Sequence, residues 1–211
     1  MSTENQKHVH NLIILDESGS MISIYNPALS GVNETLQTIR AAQDEHPDQT
    51  HSVTLVAFDT SHYNRIYSNT PALAAVDITS EQYRPNGGTP LYDAMGRAIN
   101  ELHPNVKQGD VVLVTIITDG YENASREFNG CAIRALVEAM KKEGWVFTYI
   151  GANQDVDAVA GSMAIDNRLA FQATQAGTQA MFQKEKCARM RFFNRVSKSA
   201  PDENLNDNYF E

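Results

Sequence analysis

In the stretch NLIILDESGSM, residues 11–21, an apolar run ends in a carboxylate, Asp16, followed by hydroxyls at every second position, Ser18 and Ser20. Along an extended loop, alternate side chains point the same way, so these three oxygens are aimed to one side. Two further pieces offer oxygen donors: Thr89, behind Gly87 and Gly88 in PNGGTPLYD, and Asp119 in ITDGYEN. The paired glycines let backbone approach closely and adopt positive φ. Five oxygens with no sulfur and no committed histidine select a hard, octahedral cation such as Mg²⁺ or Mn²⁺, with Ca²⁺ a further alternative. Only two of the five are carboxylates. If one of these reaches the ion through water, the ion keeps much of its positive charge and an exchangeable position, and it should seek an outside carboxylate. No general base accompanies the set, so the chemistry is that of binding more than of hydrolysis.

Each piece alone has a plainer reading. Asp16 with Ser18 could form an Asx turn or a helix cap. The TDG triplet could be a strand-end turn, and GGTP a helix N-terminus with Thr89 as N-cap and Pro90 at the first helical position. The argument for a site is that all three occur together where strands end.

The elements that must position them alternate in type. Strands are read at Val9–Asp16, HSVTLVAFD, the edge-strand candidate HYNRIYSN, DVVLVTIITDG, WVFTYIGA and NRLAFQA, with VDIT as a short extension. Helices are read at NPALSGVNETLQTIRAAQDE, TPLYDAMGRAINELH, SREFNGCAIRALVEAMKKEGW (ending at Gly144), DVDAVAGSM, and a terminal TQAGTQAMFQKEKCARMRFFNRVSK. Near-continuous aliphatic strands separated by helices imply crossover connections and a mostly parallel sheet covered on both faces. The expected fold class is therefore α/β: a Rossmann-like three-layer sandwich with one antiparallel edge strand. Ligands in such sheets sit beyond the carboxyl ends of the strands, near the point where strand order reverses. That rule selects the loops after Asp16, Asp119 and Ile150.

With DESGS fitting D-x-S-x-S, and GGTPLYD and ITDGYEN following in order, the chain resembles a von Willebrand factor A (vWA) domain with a complete metal-ion-dependent adhesion site (MIDAS). The resemblance runs from about Val9 to the terminal helix. It implies that Asp16, Ser18, Ser20, Thr89 and Asp119 surround Mg²⁺, the serines directly and the others directly or through water. A glutamate or aspartate of a partner protein would complete the shell. Met21 and Asp93 stand where the family often has these residues, as support near the site.

Other features receive structural readings: His8 and His10 as surface or edge polar residues, Asp155 and Asp157 as helix-start acids, and Asp59 as a strand-end turn residue. The terminal helix, with Lys184, Lys186, Arg189, Arg191, Arg195 and Lys198 beside Phe192 and Phe193, reads as amphipathic with a solvated basic face. Cys131 and Cys187 match no metal spacing and are read as buried thiols of a reducing compartment.

The 211 residues, 42% hydrophobic and 20% charged, fit one well-cored domain over 1–197 with an acidic, flexible tail over 198–211. The net charge of −9, of which the tail carries −3, argues against nucleic acid or an anionic membrane as partner. No apolar run approaches bilayer length. The start, MSTENQKHVHN, lacks the apolar core of a signal peptide, so a cytoplasmic setting is expected. The functional expectation is a non-enzymatic protein-interaction module. An accessory subunit of a separate AAA+ ATPase of chelatase type is the alternative; this chain has no phosphate-binding G-x-x-x-x-G-K-[ST] loop of its own. A haloacid-dehalogenase-like phosphatase, which wants D-x-D, is disfavoured by Ser18.

Overall fold

The computed structural model describes residues 6–200, 204–206 and 208–211. Its strands are β1 (Lys7–Asp16), β2 (Gln49–Phe58), β3 (Tyr63–Pro71), β4 (Val111–Thr118), β5 (Val146–Ala152) and β6 (Asn167–Phe171). Its α-helices are α1 (Tyr25–Glu45), α2 (Leu91–Leu102), α3 (Gly130–Lys142), α4 (Val156–Ser162) and α5 (Gln175–Lys198). The strands form one six-stranded sheet in the order β3-β2-β1-β4-β5-β6, in which β3 pairs antiparallel with β2 and the other pairings are parallel. The order reverses between β1 and β4, the strands that end in Asp16 and Thr118.

Alternation along β1 divides the core. Val9, Ile13 and Leu15 pack with Val32, Leu36 and Ile39 of α1 and with Met181, Phe192 and Phe193 of α5. Leu12 and Ile14 pack on the opposite face, with Leu91, Met95 and Ile99 of α2 and Ile133 and Val137 of α3. Each such aliphatic removed from water contributes about 1.5–3 kcal/mol, which is why the central strands read as uninterrupted apolar runs.

Several local expectations are corrected. The segment VDIT is not a strand; its Ile78 amide donates to Asn33 Oδ1 at 2.7 Å while Asn33 Nδ2 donates to Ile78 O. Helix α2 starts at Leu91 without a side-chain cap, so Thr89 is not its N-cap. Helix α3 starts at Gly130 because residues 126–128 give their amides to the Asp93 carboxylate instead of to a helical turn. Cys131 and Cys187 are exposed free thiols, lying off the buried stripes of α3 and α5. His10 is buried, its ring between Asn69, Ser52 and Asp110.

The terminal helix is not basic along one solvated face. Arg189 is fully buried, bonding Glu185 Oε1 at 2.7 Å, Asn11 Oδ1 at 2.9 Å and Thr115 Oγ1 at 2.8 Å. Burying a guanidinium is tolerable only with its donors satisfied, and these partners come from α5, β1 and β4. Of the tail, 201–203 and 207 lie outside the described residues. The described part docks on the fold, contrary to the reading of a frayed segment. Tyr209 is buried against Phe192 with its hydroxyl donating to Glu185 Oε1, and Asn206 Nδ2 donates to Trp145 O.

Candidate metal centre

The loop after β1 turns at once into a 3-10 turn, Gly19–Ile24. The Ser18 amide donates to Asp16 Oδ1 at 2.7 Å, folding the loop back so that Ser18 Oγ and Ser20 Oγ lie 3.1 Å apart. Ser20 Oγ donates to Asp119 Oδ1 at 2.5 Å, joining the β1 loop to the β4 loop. Thr89 is buried, and a Cβ built on Gly120 would lie 3.6 Å from Ser20 Oγ and 3.7 Å from Thr89 Oγ1. The structure thus gathers the five predicted oxygen-bearing residues around one point, at the switch in strand order.

Backbone bonds hold the three pieces in register. Asn86 N donates to Glu17 O at 2.8 Å and Gly19 N to Gly87 O at 3.0 Å, tying the β1 loop to the segment that leads to Thr89. Tyr83 Oη donates to Asp16 O at 3.0 Å, and the Arg84 amide to Glu17 Oε1. Gly87 has φ 66°, and a Cβ there would meet Thr60 Oγ1 at 2.3 Å, so this close turn needs glycine. On the other side, Thr89 N donates to Asn123 Oδ1 at 2.9 Å and Asn123 N to Thr89 O at 3.1 Å. Glu122 accepts from the amides of Tyr92, Ala124 and Ser125, and Asp93 from those of 126–128. The β4 loop is therefore laced to the start of α2.

Electrostatics concentrate on the two acids. Burial pushes the Asp16 carboxyl up to about 6, against hydrogen bonds from Thr118 and Ser18 that favour its charged form; the Asp119 charge adds to the rise. Burial also raises Asp119, which the Ser20 hydrogen bond opposes. Asp119 Oδ2 is buried with no hydrogen-bond partner among the described residues. An orphaned carboxylate oxygen beside a second buried carboxylate and three hydroxyls is a place where a cation relieves desolvation. Among the described residues no group of three or more His, Cys, Asp or Glu side chains is placed to hold a metal ion. A metal here would therefore depend on hydroxyl oxygens, the donor chemistry of a hard ion.

Met21, in the 3-10 turn, is buried in the core on the α1 and α5 side of the sheet. Asp155 caps α4 by accepting from Ala158 N, Asp157 pairs with Arg168, and Asp59 Oδ1 accepts from the amides of Ser61 and His62. Sequence reasoning did not assign Thr118, Tyr83, Glu17, Asn123 and Glu122. Of these only Thr118, the hydroxyl beside Asp119, carried a visible signal; the rest act through the backbone of other loops.

A family model described as the von Willebrand factor type A domain matches residues 12–185. A comparison with curated proteins returns no match. Among solved structures, the PilB minor pilin from Streptococcus sanguinis aligns with a TM-score of 0.61 at 13% identity, over 90% of this chain and 63% of that one. The vWF domain of the type V pili tip protein Mfa5 from Porphyromonas gingivalis gives 0.59 at 11%, over 84% and 95%. The pilus adhesin SpaC from Lactobacillus rhamnosus GG gives 0.62 at 14%, over 90% and 31%. The chain thus spans less than two thirds of the PilB chain and about a third of SpaC. At these identities the likeness is one of fold.

Proposed function

Because the chain belongs to the von Willebrand factor type A domain family, we propose that Asp16, Ser18, Ser20, Thr89 and Asp119 form a metal-ion-dependent adhesion site. It would hold Mg²⁺, with Mn²⁺ or Ca²⁺ as alternatives, and capture an aspartate or glutamate of a partner protein. The observation that carries this reading is Asp119 Oδ2, a buried carboxylate oxygen without a hydrogen-bond partner among the described residues, set beside the hydroxyls of the β1 loop. The bound ion would supply a positive charge and an exchangeable position. This chain's residues hold it with three neutral and two anionic side chains, so charge is left over for an incoming carboxylate.

The role is non-enzymatic. The minor pilin, pili tip protein and pilus adhesin among the structural neighbours support an interaction module. The two cysteines are unpaired with each other, which supports a reducing, intracellular setting. No helix among the described residues is long and apolar enough to cross a membrane. Titration calorimetry with MgCl₂ tests the site: saturable binding is expected, lost in the Ser18→Ala/Ser20→Ala double variant. Equal Mg²⁺ affinity in that variant overturns the assignment.

A further inference from the structure

Helices α1 and α5 run side by side in the same direction: Gly31 backs onto the Phe182 ring, Glu34 pairs with Lys186 at 2.9 Å, and His46 Nδ1 lies 3.3 Å from Ser197 Oγ. Beyond the Glu34–Lys186 pair a groove of about 430 Å³ opens between them, with Thr38, Ala41 and Ala42 on the α1 wall and Met190, Phe193 and Asn194 on the α5 wall. Met190 is 41% exposed, and Ala41 is exposed as well. The groove thus offers a hole walled by small side chains on α1 and, on α5, an unbranched thioether of the kind that packs into irregular spaces.

Charge is sorted by helix around this groove. On α1, Asp44 and Glu45 are exposed; on α5, with Arg189 buried and Lys186 paired, the exposed cations are Lys184, Arg191 and Lys198. None of these five joins an ion pair among the described residues. At about 3.6 residues per turn, the three cations fall within about 40° of one another and about 120–160° round α5 from Lys186, on the edge turned away from α1. The face is therefore acidic at one edge, apolar in the middle and basic at the other. A partner of uniform charge is attracted by one edge and repelled by the other, whereas a second copy related by a two-fold axis along the groove lays acid over base at both edges. Such an axis keeps level along the helices. Glu45 precedes His46 and Lys198 follows Ser197, so Glu45 of one copy comes level with Lys198 of the other. We propose that this face is a homodimer interface, closed by Asp44 and Glu45 of each copy against Arg191 and Lys198 of the other, with each Met190 packed on the α1 wall opposite. The interface does not depend on metal.

The test is sedimentation equilibrium of the full chain from micromolar to millimolar concentration, in EDTA. Reversible association to twice the monomer mass is expected, and raised salt should weaken it by screening the edge charges. Asp44→Lys/Glu45→Lys reverses one edge and Arg191→Glu/Lys198→Glu the other, all at exposed positions, so each double variant meets like charge on like at both edges of its own dimer. Each should raise the dimer Kd by at least about tenfold. An equimolar mixture of the two variants restores acid over base and should associate again, as a heterodimer, which only two correctly folded variants can do. Met190→Ser should also weaken the dimer, while leaving its salt dependence in place. A chain that stays monomeric up to millimolar concentration overturns the interface. So do association indifferent to salt, charge-reversed variants that dimerise as the wild type does, or a mixture that stays monomeric.

Discussion

Thr118 Oγ1 donates to Asp16 Oδ2 at 2.6 Å, so the last residue of β4 fixes the carboxylate that ends β1. With Ser18 N on the other oxygen, Asp16 has its plane set before any ligand arrives. A partner that orients a ligand in this way commonly changes metal affinity by about 10–100-fold. Thr118→Val keeps the shape and removes the donor. It should weaken Mg²⁺ binding by about tenfold in calorimetry and, because Asp16 Oδ2 and Gly120 N lose their partner, destabilise the metal-free chain by about 1–3 kcal/mol in urea unfolding. Thr118→Ser should restore the affinity.

Two buried groups contribute opposing terms to the pH dependence of the metal-free fold. Asp16 rises to about 6 from the ordinary 3.8, so the native state holds a proton that the unfolded state has released, and stability increases as pH falls from 6 towards 4. His51, buried with neither ring nitrogen bonded among the described residues, falls to about 4 from 6.5, so the unfolded state takes up a proton that the native state refuses, and stability decreases over nearly the same window. Each effect is at most about 3 kcal/mol at 1.36 kcal/mol per pH unit. In urea unfolding in EDTA between pH 6.5 and 4, the two contributions should therefore largely offset each other in the wild type. Asp16→Asn should uncover the His51 loss, with stability falling on acidification, and His51→Gln should uncover the Asp16 gain. Parallel profiles for all three proteins would refute the assignment.

The sequence made much of this visible, for reasons that differ by residue. Asp16 and Asp119 were legible because each ends an aliphatic run, and a buried parallel strand must stop where its polar residues begin. The antiparallel edge position of β3 was legible from the short, mixed composition of HYNRIYSN. Arg189 was misread, although it falls on the helical stripe with Glu185, Phe192 and Val196; a charge on a buried stripe is itself the signal of a partner. The start of α3 was hidden because the acceptor that unwinds residues 126–128, Asp93, lies on another helix. The tail was hidden too: Tyr209 is an ordinary aromatic until Glu185 offers its hydroxyl an acceptor.

Helices α1 and α5 approach closely at Gly31, where a Cβ would come within 2.0 Å of the Phe182 ring. The contact is between a helix backbone and a buried ring, so neither can give way cheaply. Gly31→Ala should destabilise the fold by about 1–3 kcal/mol although alanine favours helices, and Gly31→Ala/Phe182→Leu should recover part of the loss. Chemical denaturation of the two variants checks this; a more stable single variant would mean that the helices pack less tightly than described.

The Arg189 network links the terminal helix, the two central strands and the tail. Removing one partner leaves an uncompensated buried charge, which costs about 3–5 kcal/mol, whereas replacing both by apolar groups of similar volume is often neutral or better. Glu185→Leu alone should therefore be severely destabilising, because Arg189 loses its carboxylate and Tyr209 its acceptor. Arg189→Met alone leaves the Glu185 carboxylate with the Tyr209 hydroxyl and a weaker 3.4 Å contact from Thr35, and should cost somewhat less. The double variant Glu185→Leu/Arg189→Met should recover most of the loss, and adding Tyr209→Phe should recover more by removing the hydroxyl left without a partner. A double-mutant cycle from urea unfolding measures the coupling. Additive losses would mean that Glu185 and Arg189 contribute through separate contacts, and the tail would then be held by the packing of Tyr209 on Phe192 rather than by charge.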